Sequence, residues 1–120
     1  MKIAITARGT TLDAPVDQRF GRAETFVVFD TETRETSAVR NDRGASASEG
    51  AGVQAAEVVS RLGAELVITG HCGPRAFSAL EAAGIKVVMG GGGTVSEAIG
   101  RLTTGELHPA TAPDRGRRRA

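Results

Sequence analysis

The 120-residue chain contains no Trp, no Tyr and only four Phe. It therefore lacks the aromatic platforms on which single-stranded nucleic acid stacks, which argues against an RNA-binding module and leaves no specific nucleic-acid partner expected. Its one cysteine, Cys72, cannot form an internal disulfide, so nothing in the chain calls for an oxidising compartment. No apolar run reaches the roughly 18–20 residues of a membrane span, and residues 1–6 lack the apolar core of a signal peptide. A cytoplasmic protein without a membrane partner is the expectation. Charge of one sign is also scarce: 15 Lys and Arg face 14 Asp and Glu, a formal +1. This excludes an acidic disordered chain and a generally basic nucleic-acid coat. The basic excess is local, because residues 114–120 hold four Arg and one Asp and the rest of the chain is slightly acidic.

What is present is 40% apolar residues, enough for one core and one domain, and 16 Gly, about twice the usual share of roughly 7%. Residues 2–7 alternate as a first strand, ended by Gly9. Residues 12–22 have no period and read as an ordered loop before the β-rich run at 25–29; a polar turn then leads into an edge-like third strand at 35–39, antiparallel to the second. Residues 41–52 are rich in Gly, Ala and Ser and read as a mobile connection placed to act as a lid. A helix over about 52–62 is stopped by Gly63. The continuous apolar run 66–68 predicts a strand buried on both faces and central in the sheet. Pro74 opens a second helix closed by Gly84, residues 85–89 form a fifth strand, and Thr94 with Glu97 spells a capping box for a third helix ending at Gly105. The order β-β-β-α-β-α-β-α predicts a three-layer α/β domain, a five-stranded mixed sheet flanked by helices, with strands one, four and five parallel. Residues 106–120 show no period and are expected to be disordered.

Ligands of open α/β sheets collect beyond the carboxyl ends of parallel strands, where three connections of this chain converge. The first carries Gly70, His71, Cys72 and Gly73 into the second helix. A thiol beside an imidazole and a helix N-terminus is acidified, and thiolate plus imidazole is a soft pair for iron, copper or zinc. The bland alternative makes Cys72 a small buried hydrophobe and His71 a polar loop residue. The second connection carries Gly90, Gly91, Gly92, Gly93 and Thr94, whose amides suit an anion, although a plain turn into a capped helix fits equally; without a following Lys-Ser or Lys-Thr it is no P-loop. The third, with Gly50 and Gly52, matches a dinucleotide pattern only in letters, since a loop separates it from the preceding strand and no acidic residue ends the next. Hydrolysis by a metal lacks strand-end carboxylates. Asp13, Asp17 and Glu49 read as solvated loop residues, Arg8, Arg19 and Arg22 as rim charges or ordinary surface, Met89 as core and His108 as tail.

The motifs at residues 1–5, 19–23, 50–56, 67–77, 83–87 and 93–95 together resemble the dinitrogenase iron-molybdenum cofactor biosynthesis family, the NifX-like stand-alone domains. The likeness spans about residues 1–107 as one metal-sulfur cluster-binding domain and leaves 108–120 as a disordered basic tail. It implies a ribonuclease-H-like fold and a non-catalytic carrier or scaffold for iron-sulfur, iron-molybdenum precursor or molybdenum-copper sulfide clusters. Partners would be cluster donor or acceptor proteins, with the chain a monomer or weak homodimer. Members often have Asn and an apolar residue where this chain has His71 and Cys72, and Gly where it has Arg34. The resulting expectation is a transient anionic cluster among the amides around Gly50, Gly73 and Gly92, with Cys72 and His71 offering inner-sphere bonds. One thiol cannot supply the four of a standard iron-sulfur site. The alternative function is an adaptor that binds nucleic acid or an acidic protein through residues 115–119. A redox enzyme built on Cys72 lacks a resolving cysteine.

Overall fold

Strand and helix propensities place the elements where apolar residues can be buried, and the computed structural model describes residues 1–42 and 50–112 of the result. The strands are β1 (Lys2–Ala7), β2 (Thr25–Asp30), β3 (Thr36–Arg40), β4 (Leu66–Ile68) and β5 (Lys86–Val88). The helices are α1 (Ala51–Arg61), before β4, α2 (Pro74–Ala82), between β4 and β5, and α3 (Val95–Thr103), after β5. One five-stranded sheet runs β3-β2-β1-β4-β5. β1 pairs parallel with β4 and β4 with β5, whereas β1–β2 and β2–β3 are antiparallel, so the sheet is mixed.

The centre of the sheet is β1 and not β4, a correction with a simple cause. A continuous apolar run signals cover on both faces and says nothing about lateral position. The β2–β3 hairpin adds to one side of β1 and the two helical crossovers add to the other. Residues Ile3 to Ala7 of β1 are all buried.

On one face, Ala55, Ala56 and Val59 of α1 and Ala76, Phe77 and Leu80 of α2 pack over Ala4, Phe26 and Val67 with Phe20 and Cys72. On the other, Val95 and Ala98 of α3 pack over Ile3, Ile5, Val27, Ile68 and Val88. The hairpin turn is held by Asp30, whose Oδ1 accepts from the amides of Glu32 (2.8 Å) and Thr33 (3.4 Å). Arg34 sits there at φ 65°, with its guanidinium over the Phe29 ring at 5.7 Å.

Two further expectations change. Asn41, assigned by composition to a loose connection, is 1% exposed, and its amide donates to the Glu24 carbonyl at 3.1 Å; the rest of the expected lid, residues 43–49, lies outside the described residues. The chain beyond α3 does not leave the body at residue 107. Leu107 packs on the α3 face, and the Ala110 amide donates to the Val87 carbonyl at 2.7 Å along the free side of β5. Residues 113–120, with the arginine-rich end, lie outside the described residues.

Candidate anion-binding site

The carboxyl ends of β1 and β4 deliver two loops that run side by side. The Asp17 amide donates to the Thr6 carbonyl (2.8 Å), and the Thr6 hydroxyl donates back to the Asp17 carbonyl (2.6 Å) while lying 2.9 Å from the Thr69 hydroxyl. Farther along, the His71 amide donates to the Gln18 carbonyl (2.7 Å) and the Phe20 amide to the His71 carbonyl (3.2 Å). The loop at 17–24 is thus a short parallel partner of the segment leaving β4. From the other side, the Asn41 side-chain amide donates to the carbonyls of Gly21 (3.1 Å) and Ala23 (2.9 Å).

This arrangement needs small residues where the elements cross. A Cβ on Gly21 would stand 2.7 Å from the Gly52 nitrogen, and a Cβ on Gly52 would stand 2.7 Å from the Ala76 Cβ. Gly21, Gly52 and Ala76 therefore let the loop and the first turns of α1 and α2 meet at contact distance. Between them opens a groove of about 390 Å³, walled by Arg19, Phe20, Gly21 and Arg22 on the loop, Gly52 on α1, and His71, Gly73, Pro74, Arg75 and Ala76 at the start of α2.

The electrostatics of the groove follow from its walls. α1 is preceded by Gly50 and α2 by Gly73; neither has a side-chain cap, and neither first turn carries an acidic residue. The first amides of a helix carry partial positive charge, and Gly52 of α1 with Gly73 and Pro74 at the start of α2 bring both helix N-termini to the groove wall. Arg19, Arg22, Arg75 and His71 are exposed around it. The compensating carboxylate, Asp17, is 1% exposed. Burial raises its pKa, but hydrogen bonds from the Arg19 side chain and from the Arg19 and Glu24 amides, with the Arg19 charge, outweigh that and leave it below the usual carboxylate value.

The expected site residues separate into two groups. His71, Gly52 and Gly73 line the groove, with Gly50 at the adjoining cap. Gly70, Gly91, Gly92, Gly93 and Thr94 are not among its walls. Gly70 and Gly91 are buried; a Cβ on Gly70 would collide with Gln18, and one on Gly91 would stand 3.0 Å from the Ile68 side chain, a tight contact. Gly91 accepts from the Gln18 side chain (2.9 Å), Gly93 accepts from the Val16 amide (2.9 Å), and Gly92 accepts from Arg101. At Thr94 the capping box is complete: the hydroxyl accepts from the Glu97 amide (3.1 Å) and the Glu97 carboxylate accepts from the Thr94 amide (2.9 Å). The N-terminus of α3 thus already holds a carboxylate of its own chain, and the carbonyls of Gly91, Gly92 and Gly93 are taken up by Gln18, Arg101 and Val16.

Cys72 also departs from expectation. Its neighbour His71 is exposed, but Cys72 is 1% exposed and lies in the core cluster with Phe20, Phe77 and Leu80. Adjacent residues of an extended segment point to opposite sides, so the pair read as a joint ligand set is divided between solvent and core. Among the described residues, no three His, Cys, Asp or Glu come together as a metal cage. Asp17, expected to be solvated, is buried. Sequence reasoning did not single out Arg75, which lines the groove, or Asn41, which ties down the loop at Gly21 and Ala23; the visible signal for Arg75 was its place directly after the first-turn proline.

Fold and groove together define an α/β domain with a basic rim at the carboxyl edge of a mixed sheet. The chain belongs to the dinitrogenase iron-molybdenum cofactor family, whose sequence profile matches residues 1–105. The apo form of the orange protein from Desulfovibrio gigas is 45% identical over 95% of this chain and 96% of that one, with a TM-score of 0.92. A Thermotoga protein described as a NifB candidate of the DUF35 family is 34% identical over 97% of this chain and 98% of its own, with a TM-score of 0.83. An uncharacterised protein of Methanocaldococcus jannaschii is 26% identical over 89% of both chains. Among the described residues, no helix is long and apolar enough to cross a membrane.

Proposed function

We propose that the protein carries an intact anionic metal-sulfur cluster, of iron-sulfur, iron-molybdenum precursor or molybdenum-copper type, in the groove between the 19–22 loop and the first turns of α1 and α2. The observation that carries this reading is the meeting of two uncapped helix N-termini with Arg19, Arg22 and Arg75 around one cavity. A cluster that brings its own sulfide ligands needs no thiolates from the chain. It needs an outer shell of donors and positive charge, and guanidinium, weakly hydrated and planar, suits a large soft anion better than ammonium does. His71 offers the exposed imidazole, as a hydrogen-bond donor or as one bond to metal. Cys72 is withdrawn from the ligand set because it faces the core.

No turnover is assigned. Cargo held by many weak contacts leaves without strong bonds to break, which suits receipt from a donor protein and delivery to an acceptor. The adaptor alternative concerns residues 115–119, outside the described residues, and no observation favours it. The test is anaerobic titration with tetrathiomolybdate, alone and with Cu(I), and reconstitution with iron and sulfide, each followed by absorption. The expected result is saturable uptake that Cys72→Ala retains and the combined Arg22→Ala, Arg75→Ala variant loses. Featureless spectra for the unaltered protein, or loss of uptake in Cys72→Ala while the arginine variant binds normally, would overturn the reading.

A further inference from the structure

We propose that Asp17 is the positioning residue of the groove, holding the Arg19 guanidinium on the groove wall in the orientation in which it meets the anion. This rests on the reading of the groove as an anion site. Arg19 belongs to an exposed loop and its side chain is 59% exposed, so left alone it would sample many rotamers, and ordering it on binding would lower affinity. It is not left alone. Asp17 Oδ1 accepts from the Arg19 amide (3.1 Å) and Nε (3.3 Å), and Oδ2 accepts from Arg19 Nη2 (3.4 Å) and the Glu24 amide (3.2 Å).

The carboxylate thus grips one side edge of the guanidinium with both oxygens, and of the five donors of that group the Nη1 pair stays outside the grip. Asp17 is itself fixed by two backbone-to-Thr6 bonds at the end of the central strand, so a rigid line runs from the sheet to the guanidinium. A carboxylate needed only to brace the loop would be satisfied by the two amides. The additional side-chain bonds order a residue that lines the cavity.

The idea makes a prediction opposite in sign to simple Coulomb attraction. Asp17→Asn removes a negative charge beside the groove, which by charge alone would tighten the binding of any anion. Positioning predicts the reverse: affinity for tetrathiomolybdate falls about tenfold, the scale of one lost hydrogen bond to a charged group. Arg19→Lys, which keeps the charge and loses the two-point grip, falls by a similar factor. The double variant binds no worse than either single one, and Asp17→Glu recovers part of the loss.

A second readout is independent of cargo. The Arg19 Nε–H resonance in NMR is expected to be dispersed and protected from exchange in the unaltered protein and averaged in Asp17→Asn. Equal or tighter binding by Asp17→Asn, additive losses in the double variant, or an averaged Arg19 resonance in the unaltered protein would each overturn the proposal. A protein that orders Arg19 through Asp17 yet takes up no thiomolybdate or cluster upholds the positioning role and overturns the carrier reading instead. Should Asp17→Asn fail to fold, the loss of affinity in Arg19→Lys and the Arg19 Nε–H resonance of the unaltered protein decide: undiminished binding by Arg19→Lys, or an averaged resonance, overturns the proposal.

Discussion

Gly21 has room for a hydrogen and nothing larger. The atoms a methyl group would strike are the nitrogen and Cα of Gly52, at 2.7 and 2.9 Å, and backbone does not yield as a side-chain tip does. Gly21→Ala is therefore expected to destabilise the fold by about 1–3 kcal/mol, read from urea unfolding, and to weaken cargo uptake. Asp17 makes stability depend on pH with a definite sign. Its folded pKa lies below the ordinary 3.8, so its contribution is present above about pH 4 and is lost as pH falls through the folded value. Urea midpoints measured from pH 6 to pH 3 should fall less steeply for Asp17→Asn than for the unaltered protein. The Cys72 thiol is expected to react with Ellman's reagent only as fast as the chain opens, and promptly in denaturant. None of these three environments is written in the letters. A glycine's neighbours, a carboxylate's burial and the side to which a cysteine turns are set by loops whose path depends on distant residues such as Thr6 and Asn41.

The helices were more legible. Gly63, Gly84 and Gly105 follow them at φ near 80°, the conformation that ends a helix, and each was readable as a stop. The capping box at Thr94 and Glu97 was legible to the atom, and the same letters that start α3 also place a carboxylate at its N-terminus. α1 and α2 are the opposite case, begun by Gly50 and Gly73 with no side-chain acceptor. That contrast predicts a trade. Gly73 has extended dihedrals and open space where a Cβ would stand, so Gly73→Asp should fit and cap α2, stabilising the fold by roughly 0.3–1 kcal/mol. The same carboxylate would occupy the groove, so thermal unfolding should shift upward while thiomolybdate affinity drops. A rise in both would mean that the α2 N-terminus is not part of the binding surface.

The parallel pairing of β1, β4 and β5 was readable from the alternation of strand and helix, and the antiparallel hairpin from its turn. Lateral order was not, because nothing local distinguishes the middle strand from its neighbour. That order matters, since β1 at the centre sends the 17–24 loop across the end of β4 and so creates the groove. With arginines as its main charged walls, binding should weaken as salt rises from 50 to 500 mM, over which screening lengths shrink to a few ångströms; titrations across that range would measure it.

The small contact between the Ala110 amide and the Val87 carbonyl lies just past residue 105, where the match to the family profile ends. β5 is the last strand of the sheet, and that carbonyl would otherwise face outward as an invitation to a neighbouring molecule's strand. Seen this way, the residues after α3 work as a guard rail. A chain trimmed to residue 105 should keep its fold but self-associate side by side, a change that sedimentation would register as the concentration increases.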